Sequence, residues 1–353
     1  MNAPLRLETT VRAAALDDER EAATIDAWVG AHDDATPFHL SGWSRAVAEG
    51  CRQRAHYLIA ERGDALCGVL PLTEIHSALF GRAMVSAGFA VAGGIVAEDS
   101  RAVDALGEAA WALAERHHCP TLELRGPFPP SPAWCAGEGV YAGFSRTLAA
   151  DDEAELLAIP RKQRAEVRKA LGNGLEVRIG SSPQDRAAHY AVYAQSVRNL
   201  GTPVFPRALF DAVLDRSDAD ILTVLHQGRP VASVLSLYFR GCVFPYWGGG
   251  TAEARTLRAN DLMYFALMGH ARERGCTRFD FGRSKLGTGA FAFKKNWGFE
   301  PVPLRYGTRT ADGAEPREIN PLSPKYRLQV AAWQRLPLWL ANRLGPAIAR
   351  GLG

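Results

Sequence analysis

The sequence predicts an α/β (α+β) protein built from two tandem units, each with a mixed sheet. The chain has 353 residues, whereas a single hydrophobic core rarely grows beyond about 250 to 300 residues. Its composition, 47% hydrophobic and 22% charged, is typical of a globular protein with real cores. The same order of elements (hairpin, glycine-marked strand, helix, strand) also occurs twice along the chain, which indicates a duplication.

Each half begins with a predicted β-hairpin. The segments YLIAERGDALCGVLPL and ILTVLHQGRPVASVLSLYF both contain two runs of β-forming residues around a glycine turn. The two turn glycines, Gly63 and Gly228, are 165 positions apart. A strand that ends in glycines is expected next in each copy, in FAVAGGIVAED from Phe89 and in FPYWGGGTAEA from Phe244, at an offset of 155.

A helix followed by a strand completes each copy. LGEAAWALAERHHCPTLELRG, from Leu106, aligns with MYFALMGHARERGCTRFDFGR, from Met263, at an offset of 157. Both segments begin with the apolar spacing of an amphipathic helix and end with the alternation of a strand. The alignment places Cys119 on Cys276, so we expect the two cysteines at equivalent positions.

The connection between the copies is rich in proline and acidic residues. Residues 126–160 contain GPFPPSP and AADDEAELLAIP, a composition typical of a domain connection. We therefore expect a first domain at residues 1–150 and a second at residues 151–320.

A basic helical tail is expected at residues 321–353. Its apolar positions have spacings of three, four and four residues, which predicts a helix; they are Trp333, Leu336, Leu340 and Leu344. Two interpretations stay open. The tail packs on the second domain, or residues 325–350 contact an anionic membrane as a basic amphipathic segment.

Bulk charge and motif searches exclude several classes. A net charge of +3 is too small for nucleic-acid binding through overall charge. The N-terminal segment has acidic residues where a signal peptide needs an apolar core, and no run of apolar residues approaches the ~18 needed to span a membrane. The expected location is therefore cytoplasmic. The tail leaves open peripheral contact with the inner membrane. No GxSxG or HExxH motif occurs. The run His117-His118-Cys119 aligns with Arg274-Gly275-Cys276 and is interpreted as a helix cap, so no metal site is expected.

Several segments resemble the FemAB family. In the second half these are PRKQRAEVRKALGNGLEV, PYWGGGT and FDFGRSKLGTGAFAFKKNWGFEP, the last of which resembles the family's Asp-Phe-Gly strand followed by its Phe-Lys-x-x-Phe-Gly signature. In the first half TPFHLSGWSRAV, GVLPL, LFGRAMVSAGFAVAGGI and LELRG resemble the branch associated with exosortase and PEP-CTERM systems. The resemblance extends over residues from about 30 to 330.

This resemblance implies two GNAT-like domains and the transfer of an acyl or aminoacyl group to an amine. It implies no tightly bound cofactor and a co-substrate that is either aminoacyl-tRNA or acyl-CoA. The sequence contains no long charged heptad segment that would form the family's coiled-coil tRNA arm, which leaves acyl-CoA as a candidate beside tRNA. The implied acceptor is a small molecule or a glycan precursor of the cell envelope or exopolysaccharide.

The candidate site residues fall into three sets. Lys294, at the signature lysine, is the candidate cation for the oxyanion that forms when an amine attacks an ester or thioester. Candidate donor- or phosphate-binding residues are Arg283, Ser284, Lys285, Gly287, Thr288 and Gly289, and the basic helix residues Arg161, Arg164 and Arg168. Candidate cleft residues are Tyr246, Trp247, Gly248, His39 and Trp43. For each set the alternative is structural: a solvated lysine or arginine, a plain turn, or a buried aromatic or histidine.

Two functions from different classes therefore remain. The first is an N-acyltransferase or aminoacyltransferase that forms an amide on an envelope or exopolysaccharide precursor. The second is a non-catalytic envelope-assembly protein that binds a sugar nucleotide or a protein partner, because fold alone does not determine function.

Overall fold

Two units divide the chain. The computed structural model describes residues 8–137, 140–314 and 324–353. The first unit comprises Met1–Glu138, Arg305–Ile319 and Arg350–Gly353, and the second comprises Gly139–Leu304 and Asn320–Ala349. Each unit contains one mixed sheet with helices packed against it, which confirms the predicted α/β class.

The described elements follow in chain order. The strands are β1 (Thr9–Ala13), β2 (Arg54–Arg62), β3 (Ala65–Ser77), β4 (Gly81–Ser86), β5 (Val96–Ala97), β6 (Thr121–Leu124), β7 (Cys135–Gly137), β8 (Tyr141–Thr147), β9 (Leu175–Gly180), β10 (Ala219–His226), β11 (Arg229–Phe239), β12 (Cys242–Gly250), β13 (Arg278–Lys285), β14 (Pro301–Pro303) and β15 (Tyr306–Thr310). The helices are α1 (Glu19–Ala31), α2 (Ser41–Cys51), α3 (Ser100–Arg116), α4 (Asp152–Ala158), α5 (Arg161–Leu171), α6 (Pro183–Leu200), α7 (Arg207–Arg216), α8 (Ala252–Leu257), α9 (Ala259–Glu273), α10 (Gly289–Asn296), α11 (Pro324–Arg335) and α12 (Leu338–Ala349).

The two sheets have the same plan. The first has the strand order β1-β2-β3-β4-β6-β15-β7, with β5 paired to β3, and the second has the order β9-β10-β11-β12-β13-β8-β14. In each sheet one neighbouring pair is parallel, β4 with β6 and β12 with β13. A parallel pair needs a crossover connection, and α3 and α9 supply it. The equivalent strand orders of the two sheets therefore agree with the duplication predicted from the sequence.

The equivalent landmarks of the two copies agree in detail. Gly63 and Gly228 both turn their hairpins with positive φ angles, 60° and 74°, a conformation that glycine adopts without strain. The backbone N–H of Cys119 donates to Ala114 and that of Cys276 donates to Ala271, each at 2.8 Å. The two cysteines thus end corresponding helices with the same bond.

Each sheet is completed by a strand from the other half of the sequence. β8, which comes from the connection between the copies, pairs with β13 and β14 in the second sheet. β15, which follows the second copy, pairs with β6 and β7 in the first sheet. Phe144 on β8 is 1% exposed and belongs to the second core.

The unit boundaries therefore differ from the expected domains 1–150 and 151–320. The first unit ends before β8, and it regains β15 after the second copy. The expected connection was identified by its prolines and acids, but YAGFSRT within it alternates small or apolar residues with polar ones and forms a strand. Sequence order alone did not reveal that this strand pairs with residues more than a hundred positions away.

One part of the first copy is not the strand that was expected. β4 ends at Ser86, and residues 87–95 form a loop. The Gly94 N–H donates to the Arg125 carbonyl at 3.1 Å, and the Arg125 guanidinium donates to the Ala90 carbonyl at 2.8 Å. The loop therefore lies against the chain that follows β6, at the end of the parallel pair.

Two buried side chains hold this loop. His39 is 2% exposed; its Nδ1 accepts from the Thr36 N–H and its Nε2–H donates to the Gly94 carbonyl, both at 3.0 Å. The Trp43 indole N–H donates to the Gly88 carbonyl at 3.1 Å. Burial lowers the pKa of His39 to about 4, so this histidine is neutral in the folded protein at neutral pH.

The tail packs on the second unit. α11 and α12 both contact α6, where the Arg198 guanidinium donates to the Gln334 carbonyl at 3.0 Å. Pro337 lies between the two helices. Residues 321–323 of the expected tail lie outside the described residues. Three large apolar side chains of the tail remain exposed: Leu328 (80%), Trp339 (69%) and Leu344 (44%).

Across the described ranges, none of the helices combines the length and the apolar character needed to span a bilayer.

The strand exchange predicts how fragments behave. A fragment of residues 140–304 retains β8 and should unfold cooperatively on heating, whereas a fragment of residues 151–304 should not. Without β8, β13 and β14 lose their shared partner and the core loses Phe144, a loss on the scale of 3 to 5 kcal/mol for a buried aromatic side chain. Circular dichroism melting checks this. Equal melting of both fragments would contradict the exchange.

The buried neutral His39 predicts acid sensitivity. Its pKa is about 4 when folded and about 6.5 when unfolded, so the unfolded state binds more protons between these values. The contribution of neutral His39 to the free energy of unfolding is complete above pH 6.5. It is lost as the pH falls toward 4, a decrease of about 3 kcal/mol. His39→Gln should lose this part of the pH dependence in denaturant titrations at pH 7 and pH 4. His76→Gln, at an exposed histidine, is the control. If the free energy of unfolding of His39→Gln falls between pH 7 and pH 4 as much as that of the wild type, the prediction is refuted.

Candidate functional site

The candidate site of the second unit lies where β12 and β13 diverge. The two parallel strands pair only at Cys242 with Arg278 and at Val243 with Phe279. Beyond these pairs β12 continues to Gly250 and β13 to Lys285, without pairing to each other. The signature lysine and part of the predicted donor loop are found along this outer part of β13.

Lys294 is positioned by the start of α10. The Thr288 hydroxyl accepts from the Phe291 N–H at 3.3 Å and donates to the Lys285 carbonyl at 2.7 Å, which caps the helix and ties it to the end of β13. One and a half turns into the helix, the Lys294 ammonium donates to the carbonyls of Gly282 and Arg283, at 3.2 and 2.8 Å. Lys294 therefore holds the strand just beyond its last pair with β12.

The surroundings of Lys294 are largely apolar. Its ammonium lies 5.4 Å from the ring centre of Phe144 and 5.5 Å from that of Phe281. Burial lowers the pKa of Lys294 to about 8, although the nearby Asp280 carboxylate opposes the shift. Two of its three N–H bonds are used by the carbonyls, so a third is left for another acceptor. The neighbouring Lys295 is exposed.

Asp280 is a site residue that the sequence reasoning missed. Its carboxylate accepts from the Gly282 N–H at 2.8 Å, and burial raises its pKa. The Gly282 backbone has a φ of 68°, and β13 has a register shift against β8 between Asp280 and Arg283. Asp280 and Lys294 thus stabilise one β-bulge from two sides. The Asp of the FDFG segment was the available signal.

The predicted glycine-rich donor loop is shorter than expected. Arg283, Ser284 and Lys285 lie on β13 itself, because the strand continues through them in register with β8. Only Gly287, with a φ of 75°, is in the turn, while Thr288 and Gly289 begin α10. The Ser284 side chain is buried, and its hydroxyl has no partner within the described ranges.

The basic helix α5 does not present three equivalent arginines. The Arg164 guanidinium donates to the carbonyls of Leu157 and Ile159, at 2.7 and 3.0 Å, so it satisfies the end of α4. This corrects its assignment as a phosphate ligand. Arg161 and Arg168 are exposed, which is the solvated face considered as the alternative.

The aromatic and glycine residues of β12 are mainly structural. Trp247 is 4% exposed and its ring centre lies 4.7 Å from that of Phe210. A Cβ on Gly248 would lie 3.1 Å from the Tyr264 hydroxyl. The absence of a side chain at Gly248 therefore leaves room for the Tyr264 side chain of α9. Of these predicted cleft residues, Tyr246 remains half-buried beside Trp247 and is the one best placed to line the cleft.

His39 and Trp43 do not line a cleft in the structure. Both side chains are buried in the first unit and hydrogen-bond to the loop at residues 87–95. The alternative reading of His39, a satisfied buried histidine, is therefore the correct one. Its sequence neighbours gave no sign of its carbonyl partner, which lies 55 positions away.

Comparisons with known proteins find sequence similarity in one segment and a shared fold among solved structures. Residues 160–295 match the model of the acetyltransferase (GNAT) domain. No curated protein has significant similarity to the sequence. Among solved structures, FemX matches with a TM-score of 0.61 and 16% identity, covering 80% of this chain and 95% of FemX.

Two further structures match at similar levels. A tandem GNAT protein from the clavulanic acid biosynthesis pathway has a TM-score of 0.56 and 15% identity, covering 87% of this chain and 100% of that one. A C-terminal domain (DUF2156), named as that of a lysylphosphatidylglycerol synthetase from Agrobacterium fabrum, has a TM-score of 0.54 and 13% identity, covering 83% and 93%. Residues 160–295 are thus similar in sequence to GNAT domains, and the whole chain has the fold of tandem GNAT proteins.

Proposed function

We propose that the protein is an N-acyltransferase or aminoacyltransferase that forms an amide, with its site at the divergence of β12 and β13. The observation that carries the proposal is the Lys294 ammonium, which two backbone carbonyls hold beside this divergence. The GNAT match of residues 160–295 supports acyl transfer in general.

The proposed chemistry is direct transfer. The acceptor amine attacks the carbonyl carbon of the donor ester or thioester, and the carbonyl oxygen becomes negative. The remaining N–H of Lys294 donates to that oxygen, and because Lys294 is already fixed, little reorganisation is needed. Collapse of the intermediate expels the thiol or alcohol of the donor, which takes up the proton lost by the amine. Asp280 acts here as a positioning residue, since it keeps Lys294 charged and the bulge in place.

The identity of donor and acceptor is part of the proposal. Acyl-CoA is the donor class expected from the GNAT match, and aminoacyl-tRNA is the donor implied by the FemAB resemblance. Similarity of fold to proteins named FemX and lysylphosphatidylglycerol synthetase supports an acceptor in the cell envelope. The first-half motifs that resemble the exosortase and PEP-CTERM branch favour an exopolysaccharide or envelope precursor.

Lys294→Met should lower the rate of amide formation by ~100-fold or more, the scale seen when one oxyanion donor is lost. The matched control is Lys295→Met, because Lys295 is the exposed neighbour on the same helix and should retain activity. Amide product is measured by mass spectrometry with the donor and acceptor that sustain turnover. Equal rates for Lys294→Met and the wild type, with both folded, would remove Lys294 from the mechanism and favour the non-catalytic alternative.

The pH dependence separates a charged Lys294 from a neutral one. If the Lys294 ammonium hydrogen-bonds to the oxyanion, kcat/KM of the wild type should fall above pH 8, because Lys294 loses its proton there. Lys294→Arg keeps its charge at that pH, so the ratio of wild-type to variant kcat/KM should decline above pH 8. A ratio that rises through pH 8 would indicate that neutral Lys294 acts as a base, and would contradict the oxyanion role.

We also propose that the tail contacts an anionic membrane through its exposed side. Leu328, Trp339 and Leu344 are exposed beside the exposed arginines Arg335 and Arg343. Apolar side chains next to arginines are the composition of an interfacial helix, while α11 and α12 also contact α6.

Binding to vesicles that contain phosphatidylglycerol tests the tail. The double variant Arg335→Gln/Arg343→Gln should bind roughly 30-fold more weakly, because each basic residue near such a surface contributes about 1 kcal/mol. Arg207→Gln/Arg229→Gln, which removes two exposed arginines elsewhere in the second unit, is the control. If the intact chain does not sediment with these vesicles, the tail is only a packed structural element.

A further inference from the structure

Two histidines and a glutamate meet at one corner of the first unit. In the ladder of β2 and β3, Arg54 pairs with Glu74 and His56 pairs with Leu72. Since side chains alternate along a strand, His56 and Glu74 are diagonal neighbours on one face. That face packs against α3, whose C-cap residue is His117. The register of the hairpin and the end of the helix therefore bring the three residues together.

The distances between the three side chains are short. Glu74 Oε2 lies 3.0 Å from His117 Nδ1 and 3.6 Å from His56 Nε2. All three ligand atoms lie within 4.8 Å of one another. Bonds from zinc to nitrogen or oxygen are about 2.0 to 2.2 Å, so donor atoms around one tetrahedral ion lie roughly 3.3 Å apart. The cluster needs only small side-chain movements to reach that spacing.

His56 supplies an independent observation. Its Nε2 atom is buried and has no hydrogen-bond partner among the residues that the structure describes, although buried polar atoms are nearly always paired and an unpaired one is costly. This atom points toward Glu74 Oε2 at 3.6 Å, too far for a hydrogen bond. A metal ion between the two atoms would satisfy both of them.

Two arginines define the outer contacts of Glu74. The Arg82 guanidinium donates to Glu74 Oε1 at 2.7 Å, which fixes the carboxylate and leaves its Oε2 atom facing the histidines. Arg54 Nη1 lies 3.3 Å from His117 Nδ1 and 3.5 Å from Glu74 Oε2. His117 Nδ1 therefore lies between a donor, Arg54, and an acceptor, Glu74 Oε2, and the tautomer of the ring decides which of the two it hydrogen-bonds.

Arg54 therefore lies near the position a metal cation would take. Its side chain is 65% exposed, and a long exposed arginine can move into solvent at little cost. Its departure would release the ligand atoms of His117 and Glu74 together.

The equivalent corner of the second unit is held by ion pairs. Arg274, which aligns with His117, pairs with Asp220 at 3.0 Å and also with Asp218. This arginine is the C-cap residue of α9. Both copies thus tie the end of the crossover helix to the hairpin, and the first copy does so with metal-binding residue types.

We propose that His56, Glu74 and His117 bind one divalent ion of the zinc type. Two imidazoles and a carboxylate are a ligand set for such ions, and three protein ligands leave a fourth position for water or an outside ligand. His117 keeps its place as the C-cap of α3, and the proposal adds a metal ligand to that role. The ion joins α3 to β2 and β3, so its expected effect is on the stability of the first unit, independent of acyl transfer.

The test is metal titration of the full chain after treatment with a chelator. Co²⁺, followed by its visible absorption, and Zn²⁺, followed by calorimetry, should each bind with one ion per chain. His56→Gln and His117→Gln should weaken binding by at least ~100-fold, the upper range for losing contacts in a metal site. Zinc at a hundredfold excess over Kd should raise the Tm by roughly 5 °C in the wild type and not in these variants.

Two further variants make the result specific. His118→Asn changes the exposed neighbour of His117 and should bind zinc as the wild type does. Arg54→Gln removes the competing cation and should bind zinc more tightly. Absence of stoichiometric binding, or full binding by both His56→Gln and His117→Gln when their metal-free melting equals that of the wild type, would overturn the proposal. Weaker binding by Arg54→Gln would likewise contradict the proposed ligand position.

Discussion

The short parallel ladder at the centre of each sheet is the constraint on which the rest of the structure depends. β12 and β13 share only two residue pairs before they diverge, and β4 and β6 also share two. Main-chain groups beyond these pairs need other partners. In the first unit, the loop at residues 87–95 lies against the chain after β6 and is held by Arg125 and His39. In the second unit, Lys294 takes up the Gly282 and Arg283 carbonyls, and this difference makes the second unit the better candidate for the site.

The positions of β8 and β15 link the two halves of the sequence through their sheets. β8, from the connection between the copies, lies next to the parallel pair of the second sheet, and β15, which follows the second copy, lies next to that of the first sheet. β8 also contributes to the core and to the candidate site of the second unit. It carries Phe144 into the second core and forms the ladder whose irregularity at Asp280 and Arg283 creates the bulge beneath Lys294. A residue from the first half thus contributes to the geometry of the candidate site in the second.

The duplication, the order of elements and the capped helix that carries Lys294 could be predicted because they depend on local patterns: glycine turns, apolar periodicity and Thr288 before α10. The partners of long-range contacts could not. The pairing of β8 with β13 joins Ser145 to Asp280, and nothing in YAGFSRT distinguishes that partner from a nearer one. For the same reason, Arg164 and His39 were candidates for the site because of their residue types. In the structure both side chains hydrogen-bond to backbone carbonyls and stabilise the fold. The His56, Glu74 and His117 cluster depends on strand register, which the histidine run alone does not reveal.

The central claim is that acyl transfer takes place at Lys294 where β12 and β13 diverge. A crystal structure of the chain with a stable analogue of acyl-CoA, or of an aminoacyl ester, tests this most directly. The account predicts that the donor carbonyl oxygen lies within about 3 Å of Lys294 Nζ, a hydrogen-bond distance, while the Gly282 and Arg283 carbonyls keep their contacts. A donor bound away from β13, with Lys294 contacting only the two carbonyls, would contradict the account.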